Sequence, residues 1–255
     1  MKITLVQPVV QWSNAAANIQ ETERLMDQTP GSDLYILPEM WATGFNVCPN
    51  AMTRVASREA LDWMYRQAEN RQCAVAGSLA VDEPFGGVEE SAPAGWRNRF
   101  FFVKPGGKAD FYDKIHLFTL SEEPLSYIAG ERPVVTEWCG VRFRLQVCFD
   151  LRFPEAARRE AELPYDVLIN VAAWPASRQG ERDLLLRARA IENQAIAIGV
   201  NYAGKCGKVQ YPGHSSAIGP NGQTLVEAGE EAGCVTFEPP VSDVQLLRHQ
   251  FPLEL

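Results

Sequence analysis

Short apolar runs alternate along this chain with longer segments whose apolar positions recur at helical spacing, a pattern that predicts strands and helices in turn. Ile3-Thr-Leu-Val-Gln7 reads as a strand, and Asn18 to Gln28, with Ile19, Leu25 and Met26, as a helix. Leu34-Tyr-Ile-Leu37 is a short buried strand running into Pro38-Glu39. Ser57 reads as the N-cap of a helix with apolar face Leu61, Met64, Tyr65 and Ala68, followed by a strand from Ala74 to Ala80. The Gly-, Pro- and acid-rich stretch from Pro84 to Gly95 is expected to be an exposed excursion between strands. Phe100 to Val103 and Ala109 to Tyr112 flank Pro105-Gly-Gly107, a hairpin signal, and Asp110 to Phe118 reads as an apolar strand that delivers Lys114 near its end.

The second half repeats the alternation: a strand over 141–147, a helix over about 154–162, a strand over 167–172, a helix over about 181–193 and a strand over 195–200. Ser215 to Ile218, the turn Pro220-Asn-Gly222, Thr224 to Val226 and Cys234 to Phe237 read as further hairpins. No linker, low-complexity tract or solenoid-period repeat interrupts the 255 residues, so one α/β domain over 1–255, with buried sheets covered by helices, is expected.

Composition narrows the function classes. A hydrophobic content of 46% suits a globular core, and a net charge of −8 without any basic run makes nucleic acid and anionic membranes poor partners. The first strand begins at Ile3, and no apolar run approaches the ~18 residues of a membrane span, so a cytoplasmic protein is expected. Six cysteines without a C-x-x-C pair and three scattered histidines suggest neither a metal site nor a disulfide framework.

Candidate chemistry gathers at strand ends. Cys148 closes the apolar run Val141 to Val147 and opens Phe149-Asp-Leu-Arg-Phe-Pro154, a junction suited to a nucleophile. Taken singly, Cys148 is equally a small buried hydrophobe, Glu39 a helix-capping acid and Lys114 a surface charge. Taken together they make a machine: a thiol with an ordinary pKa near 8.5 needs a base, which Glu39 supplies, and a positive field, which Lys114 supplies. Lys114 and the backbone N–H of Phe149 are the natural donors to an oxyanion, each worth on the order of 3 kcal/mol.

Leu37-Pro-Glu39-Met with Thr43-Gly-Phe45, Tyr112-Asp-Lys114-Ile-His-Leu-Phe118, and Val147-Cys148-Phe-Asp-Leu-Arg152-Phe-Pro154 resemble the three catalytic blocks of the nitrilase superfamily, in the order Glu, Lys, Cys. Leu185 to Gln194 and Gly213-His-Ser215 extend the match. The resemblance implies a four-layer α-β-β-α sandwich, hydrolysis of a non-peptide carbon–nitrogen bond with no metal or other cofactor, a small-molecule amide as partner, and a homodimer. Its wording is most similar to the omega-amidase branch, which implies 2-oxoglutaramate or 2-oxosuccinamate as substrate. Another amide or carbamoyl compound, a deaminated glutathione, a nitrile, or a catalytically silent scaffold are the rival readings.

The same resemblance implies a supporting acid after the lysine block. Glu123 fits, because Glu123-Pro-Leu-Ser-Tyr127-Ile-Ala-Gly130 follows the family spacing, with Glu122 as competitor. Trp174 falls where the family shapes its pocket, Arg178 is suited to a keto-acid carboxylate, and Phe45 and Tyr127 are candidates for the mouth. Asp150 and Arg152 read as braces of the cysteine turn, and Arg187, Arg189, Glu192 and Asn193 as an ordinary amphipathic helix with charge pairs. Two departures flank the pocket: Glu181-Arg182 stands where many relatives carry His-Trp, and Ala173 where some carry Asn.

Overall fold

Two six-stranded mixed sheets face each other in the computed structural model, which describes residues 1–82 and 95–253. Apart from Gly95, the expected excursion from Pro84 lies outside the described residues. The strands are β1 (Ile3–Gln7), β2 (Leu34–Ile36), β3 (Ala74–Val81), β4 (Arg97–Lys104), β5 (Lys108–Asp113), β6 (Val135–Trp138), β7 (Val141–Val147), β8 (Val167–Val171), β9 (Ile196–Val200), β10 (Ala203–Cys206), β11 (Val209–Pro212), β12 (Ser216–Ile218), β13 (Thr224–Glu227) and β14 (Gly233–Phe237). The helices are α1 (Ala15–Asp27), α2 (Ala51–Arg71), α3 (Glu123–Ser126), α4 (Pro154–Ala157), α5 (Gln179–Asn193) and α6 (Val241–Gln250). One sheet runs β14-β1-β2-β3-β4-β5 and the other β13-β12-β9-β8-β7-β6, with β10 and β11 as a separate hairpin.

Period-two alternation explains the layering. In β4, Phe100 and Phe102 enter the core between the sheets while Phe101 and Val103 turn to the layer of α1 and α2. In β8, Val167, Ile169 and Val171 point inward and Leu168 outward, toward Leu186 and Ala190 of α5. Strands buried on both faces are largely apolar, which is why β8 reads as a near-continuous run. The result is the expected α-β-β-α order of layers. Among the described residues no helix is long and apolar enough to cross a membrane.

Five expectations change. The strand expected to run to Phe118 ends at Asp113, because the N–H groups of Ile115, His116 and Phe118 donate to the Tyr112 hydroxyl and to the Asp150 and Glu123 carboxylates instead of a neighbouring strand. The second helix starts at Asn50, whose side chain accepts from Met52 and Thr53 N–H while Thr53 Oγ1 accepts from Asn50 N–H; Ser57 is buried within the helix. The helix over 154–162 stops at Ala157, because the Ala157 carbonyl is taken by the Tyr165 hydroxyl at 2.5 Å and the Arg159 N–H by Asn193 Oδ1 at 2.9 Å. β12 and β13 do form a hairpin, but β14 leaves for the other sheet and pairs antiparallel with β1. Helix α6 and the β10–β11 hairpin were not expected at all.

Candidate active site

Glu39, Lys114 and Cys148 converge from three separate strand ends. Glu39 lies three residues beyond β2, Lys114 directly follows β5 and Cys148 directly follows β7. The carboxyl ends of strands are where an open sheet leaves backbone and side chains free for a ligand. Lys114 Nζ donates to Glu39 Oε1 at 3.0 Å and to Glu123 Oε1 and Oε2 at 3.0 and 2.9 Å. Cys148 and Glu39 line the same cavity, and the Ala173 N–H beside them donates to Glu39 Oε2 at 2.9 Å. Glu39, Lys114 and Glu123 are all buried. Glu122, the competitor, is exposed and lies beside Cys48 at 3.6 Å.

Asn98 ties the two acids together. Its Nδ2 donates to Glu39 Oε1 at 2.7 Å and to Glu123 Oε1 at 3.1 Å, while its Oδ1 accepts from the Ser78 hydroxyl at 2.9 Å. Ser78 Oγ in turn accepts from the Met40 N–H at 2.9 Å, and the Tyr202 hydroxyl donates to the Glu39 and Met40 carbonyls. Sequence reasoning missed Asn98, Ser78 and Tyr202. A signal existed for two of them: Asn98 shares the strand face of Phe100 and Phe102, and Ser78 that of Ala74 and Ala76, so both put a polar group on the core face between the sheets.

The electrostatics divide the roles. Burial opposes a charged Lys114, yet Glu39 and Glu123 outweigh it and hold the ammonium above the ordinary lysine value. The Cys148 thiol is pushed well above its usual range, first by burial and then by the negative charge of Glu39, against the opposing pull of Lys114 and the Ala173 N–H. The resting nucleophile is therefore a protonated thiol beside a carboxylate that can receive its proton.

Cys148 opens a 3-10 turn, Cys148–Arg152, with φ of +46°, a conformation that costs an L-residue on the order of 1–3 kcal/mol. Side chains from several elements hold it. Asp150 accepts from the Val147 N–H at 2.9 Å, the Tyr112 hydroxyl at 2.8 Å and the His116 N–H at 2.9 Å. Asn170 donates to the Cys148 carbonyl at 3.3 Å, and Arg189 donates twice to the Leu151 carbonyl, at 3.1 and 2.8 Å. Arg189 is thus a buried brace as well as one half of an ion pair with Glu192. The Phe149 N–H, at the start of the turn, has no partner within it.

A cavity of about 560 Å³ opens above Cys148 and Glu39. Phe45, Phe118, Phe149 and Trp174 form aromatic walls, and Arg152, Arg178 and Lys208 bring positive charge. Phe45 also lies 5.3 Å from Lys114 Nζ. Tyr127 does not reach this wall: it is buried behind it with Met40 and Ala80, and its hydroxyl donates to the Asn46 carbonyl at 2.5 Å. The departure at Ala173 is reconciled by its N–H, which makes the contact to Glu39 whatever the side chain. At the other departure, Glu181 pairs with Arg152, while Arg182 is fully buried and donates to the His214 carbonyl at 3.1 Å. Room for it comes from Gly199, where a Cβ would stand 2.7 Å from Arg182 Nη2. Among the described residues no group of three His, Cys, Asp or Glu side chains could hold a metal ion.

A family model described as carbon-nitrogen hydrolase matches residues 2–249. The chain is 37% identical to "Omega-amidase YafV" of Escherichia coli over 99% of its own length and 94% of that protein. It is 30% identical to a "2-oxoglutaramate amidase" of Bacillus subtilis, over 98% of this chain and 95% of the other. Among solved structures, a CN-hydrolase superfamily protein of Xanthomonas campestris with an arsenic adduct in its active site superposes with a TM-score of 0.87 at 33% identity, covering 99% of this chain and 95% of that one. A glutamate-to-glutamine mutant of an amidase from Nesterenkonia, showing Michael addition of acrylamide at the active-site cysteine, superposes with a TM-score of 0.81 at 26% identity, covering 99% of this chain and all of the other.

Proposed function

The chain belongs to the carbon-nitrogen hydrolase family, and from that membership we propose that it releases ammonia from the terminal amide of a small 2-oxo acid monoamide, of the 2-oxoglutaramate or 2-oxosuccinamate type, through a thioester on Cys148. The reaction class, hydrolysis of an amide, follows from the family and its amidase relatives. One observation carries the choice of a carboxylated substrate. Beyond the buried acid and lysine and the half-buried thiol, every charged side chain lining the cavity among the described residues is a cation, and Arg178 has no ion-pair partner among them. A guanidinium fork left free in an aromatic cleft suits a carboxylate.

The steps use each group more than once. Cys148 Sγ attacks the amide carbonyl as its proton passes to Glu39, so no free thiolate has to accumulate. The oxyanion takes hydrogen bonds from the Phe149 N–H and from Lys114, two of whose three hydrogens are engaged by Glu39 and Glu123. Glu39 returns its proton to the departing nitrogen, ammonia leaves, and an acyl thioester remains. A water molecule then gives its proton to Glu39 and attacks the thioester carbonyl; as the C–S bond breaks Glu39 returns the proton to sulfur, releasing the acid and restoring the thiol.

The test is ammonia release from 2-oxoglutaramate, beside a panel of neutral amides and carbamoyl compounds with carbon dioxide detection. Turnover of the 2-oxo acid amide, lost in Cys148→Ala with the circular dichroism spectrum unchanged, is expected. Turnover surviving in Cys148→Ala, or a preference for neutral amides or for substrates releasing carbon dioxide, overturns the proposal.

A further inference from the structure

Two arginines share the cavity wall, and the chain treats them differently. Arg152 ends the 3-10 turn that begins at the nucleophile, with its guanidinium 5.2 Å from the Trp174 ring centre and 5.9 Å from that of Phe149. It is ion-paired with Glu181, in the first turn of α5, where the helix dipole favours a carboxylate. Arg178 stands 4.8 Å over the Phe118 ring and makes no ion pair among the described residues. The remaining cation of the wall, Lys208, is exposed in the β10–β11 turn, where its ammonium stays hydrated.

We propose that Glu181 is a specificity-determining residue: by engaging Arg152 at the rim it leaves Arg178 as the single guanidinium available to a substrate carboxylate, so the pocket favours amides carrying one carboxylate over those carrying two. This rests on the reading that the substrate is a carboxylated amide. A second carboxylate arriving at Arg152 has to displace an ion pair already made and meets the negative charge of Glu181.

Alkylation of Cys148 by iodoacetate and by iodoacetamide, followed by mass analysis of the Cys148 peptide, isolates the effect, because the reagents differ by one carboxylate and require no substrate. Glu181 is half-exposed, so Glu181→Gln leaves the packing intact. In Glu181→Gln the iodoacetate-to-iodoacetamide rate ratio is expected to rise about three- to tenfold. In Arg178→Gln it falls, and in the double variant it returns toward the native value as Arg152 takes over. A ratio in Glu181→Gln equal to or below the native one overturns the role of Glu181. Failure of the native protein to release ammonia from 2-oxoglutaramate would instead overturn the proposed function, and the alkylation ratios would still decide the role of Glu181.

Discussion

Glu123→Gln asks whether Lys114 is held by charge or by packing alone. The four contacts of the Glu123 carboxylate all come from donors: Lys114 Nζ and Asn98 Nδ2 on Oε1, Lys114 Nζ and the Phe118 N–H on Oε2. A glutamine of the same shape must turn its NH₂ toward one of these pairs and place donor against donor. Loss of a charge-assisted bond and of partners for buried donors costs about 3 kcal/mol together. At about 2–4 °C per kcal/mol for a chain of this size, Tm is expected to fall by roughly 6–12 °C. Lys114 keeps Glu39 as its one carboxylate and shifts from the oxyanion position, so kcat drops by about 10²–10³. Glu123 does not line the cavity, so KM changes little. Thermal melts and steady-state ammonia release measure both quantities. A variant with native Tm and kcat within twofold of native refutes the reasoning.

Two further outcomes follow from the same geometry. Gly130 packs against the end of β5, where an added Cβ would lie 2.1 Å from the Asp113 carbonyl oxygen, and its N–H donates to the Lys114 carbonyl at 2.9 Å. Gly130→Ala therefore displaces the lysine-bearing peptide; kcat is expected to fall at least tenfold with a lowered Tm, and native kinetics would refute this. Burial pushes the Cys73 thiol up to about 11, so the native state holds this proton more tightly than the unfolded chain does. The resulting stability is complete below the ordinary thiol range and is lost as pH rises through it toward the folded value, by about 2 kcal/mol at pH 10. Urea midpoints across pH 8 to 11 should decline less steeply in Cys73→Ala, and parallel slopes would refute the linkage.

What the sequence revealed and what it hid have the same physical origin. Central β8 announces itself as a near-apolar run and β7 by alternation of Val141, Phe143, Leu145 and Val147 with polar residues, and the catalytic blocks do so because they lie at or just beyond strand ends. The cap at Asn50 was passed over because no apolar periodicity begins there, whereas Ser57 precedes the visible apolar face. The fate of β14 lay beyond any local pattern, since it pairs with β1 from the far end of the chain, Thr4 opposite Thr236. Ser78 was hidden because one polar residue in an Ala-rich strand reads as noise, and Asn98 because it lies between Arg97 and Arg99, ahead of the Phe run, although on a core face each demands a partner. At Ala173 the side chain drew attention and the backbone N–H carries the contact.

The site also follows from a symmetry that no sequence period betrays. Read from β14, the first sheet pairs antiparallel, parallel, parallel, antiparallel, antiparallel; read from β6, the second gives the same series. The halves nevertheless contribute different chemistry. The first sheet carries the acid, the lysine and the Ser78–Asn98 bridge, while the second carries the thiol, the Phe149 N–H and the Ala173 N–H. Base and nucleophile meet only across the packed sheets, at the shared cavity wall where Ala173 donates to Glu39. Inter-sheet packing, Phe102 against Phe143 at 5.6 Å among it, thereby sets the distance over which the proton moves. Because misplacement of reacting groups by about 1 Å can cost on the order of 10²-fold in rate, the core between the sheets is part of the catalytic apparatus as well as of the fold.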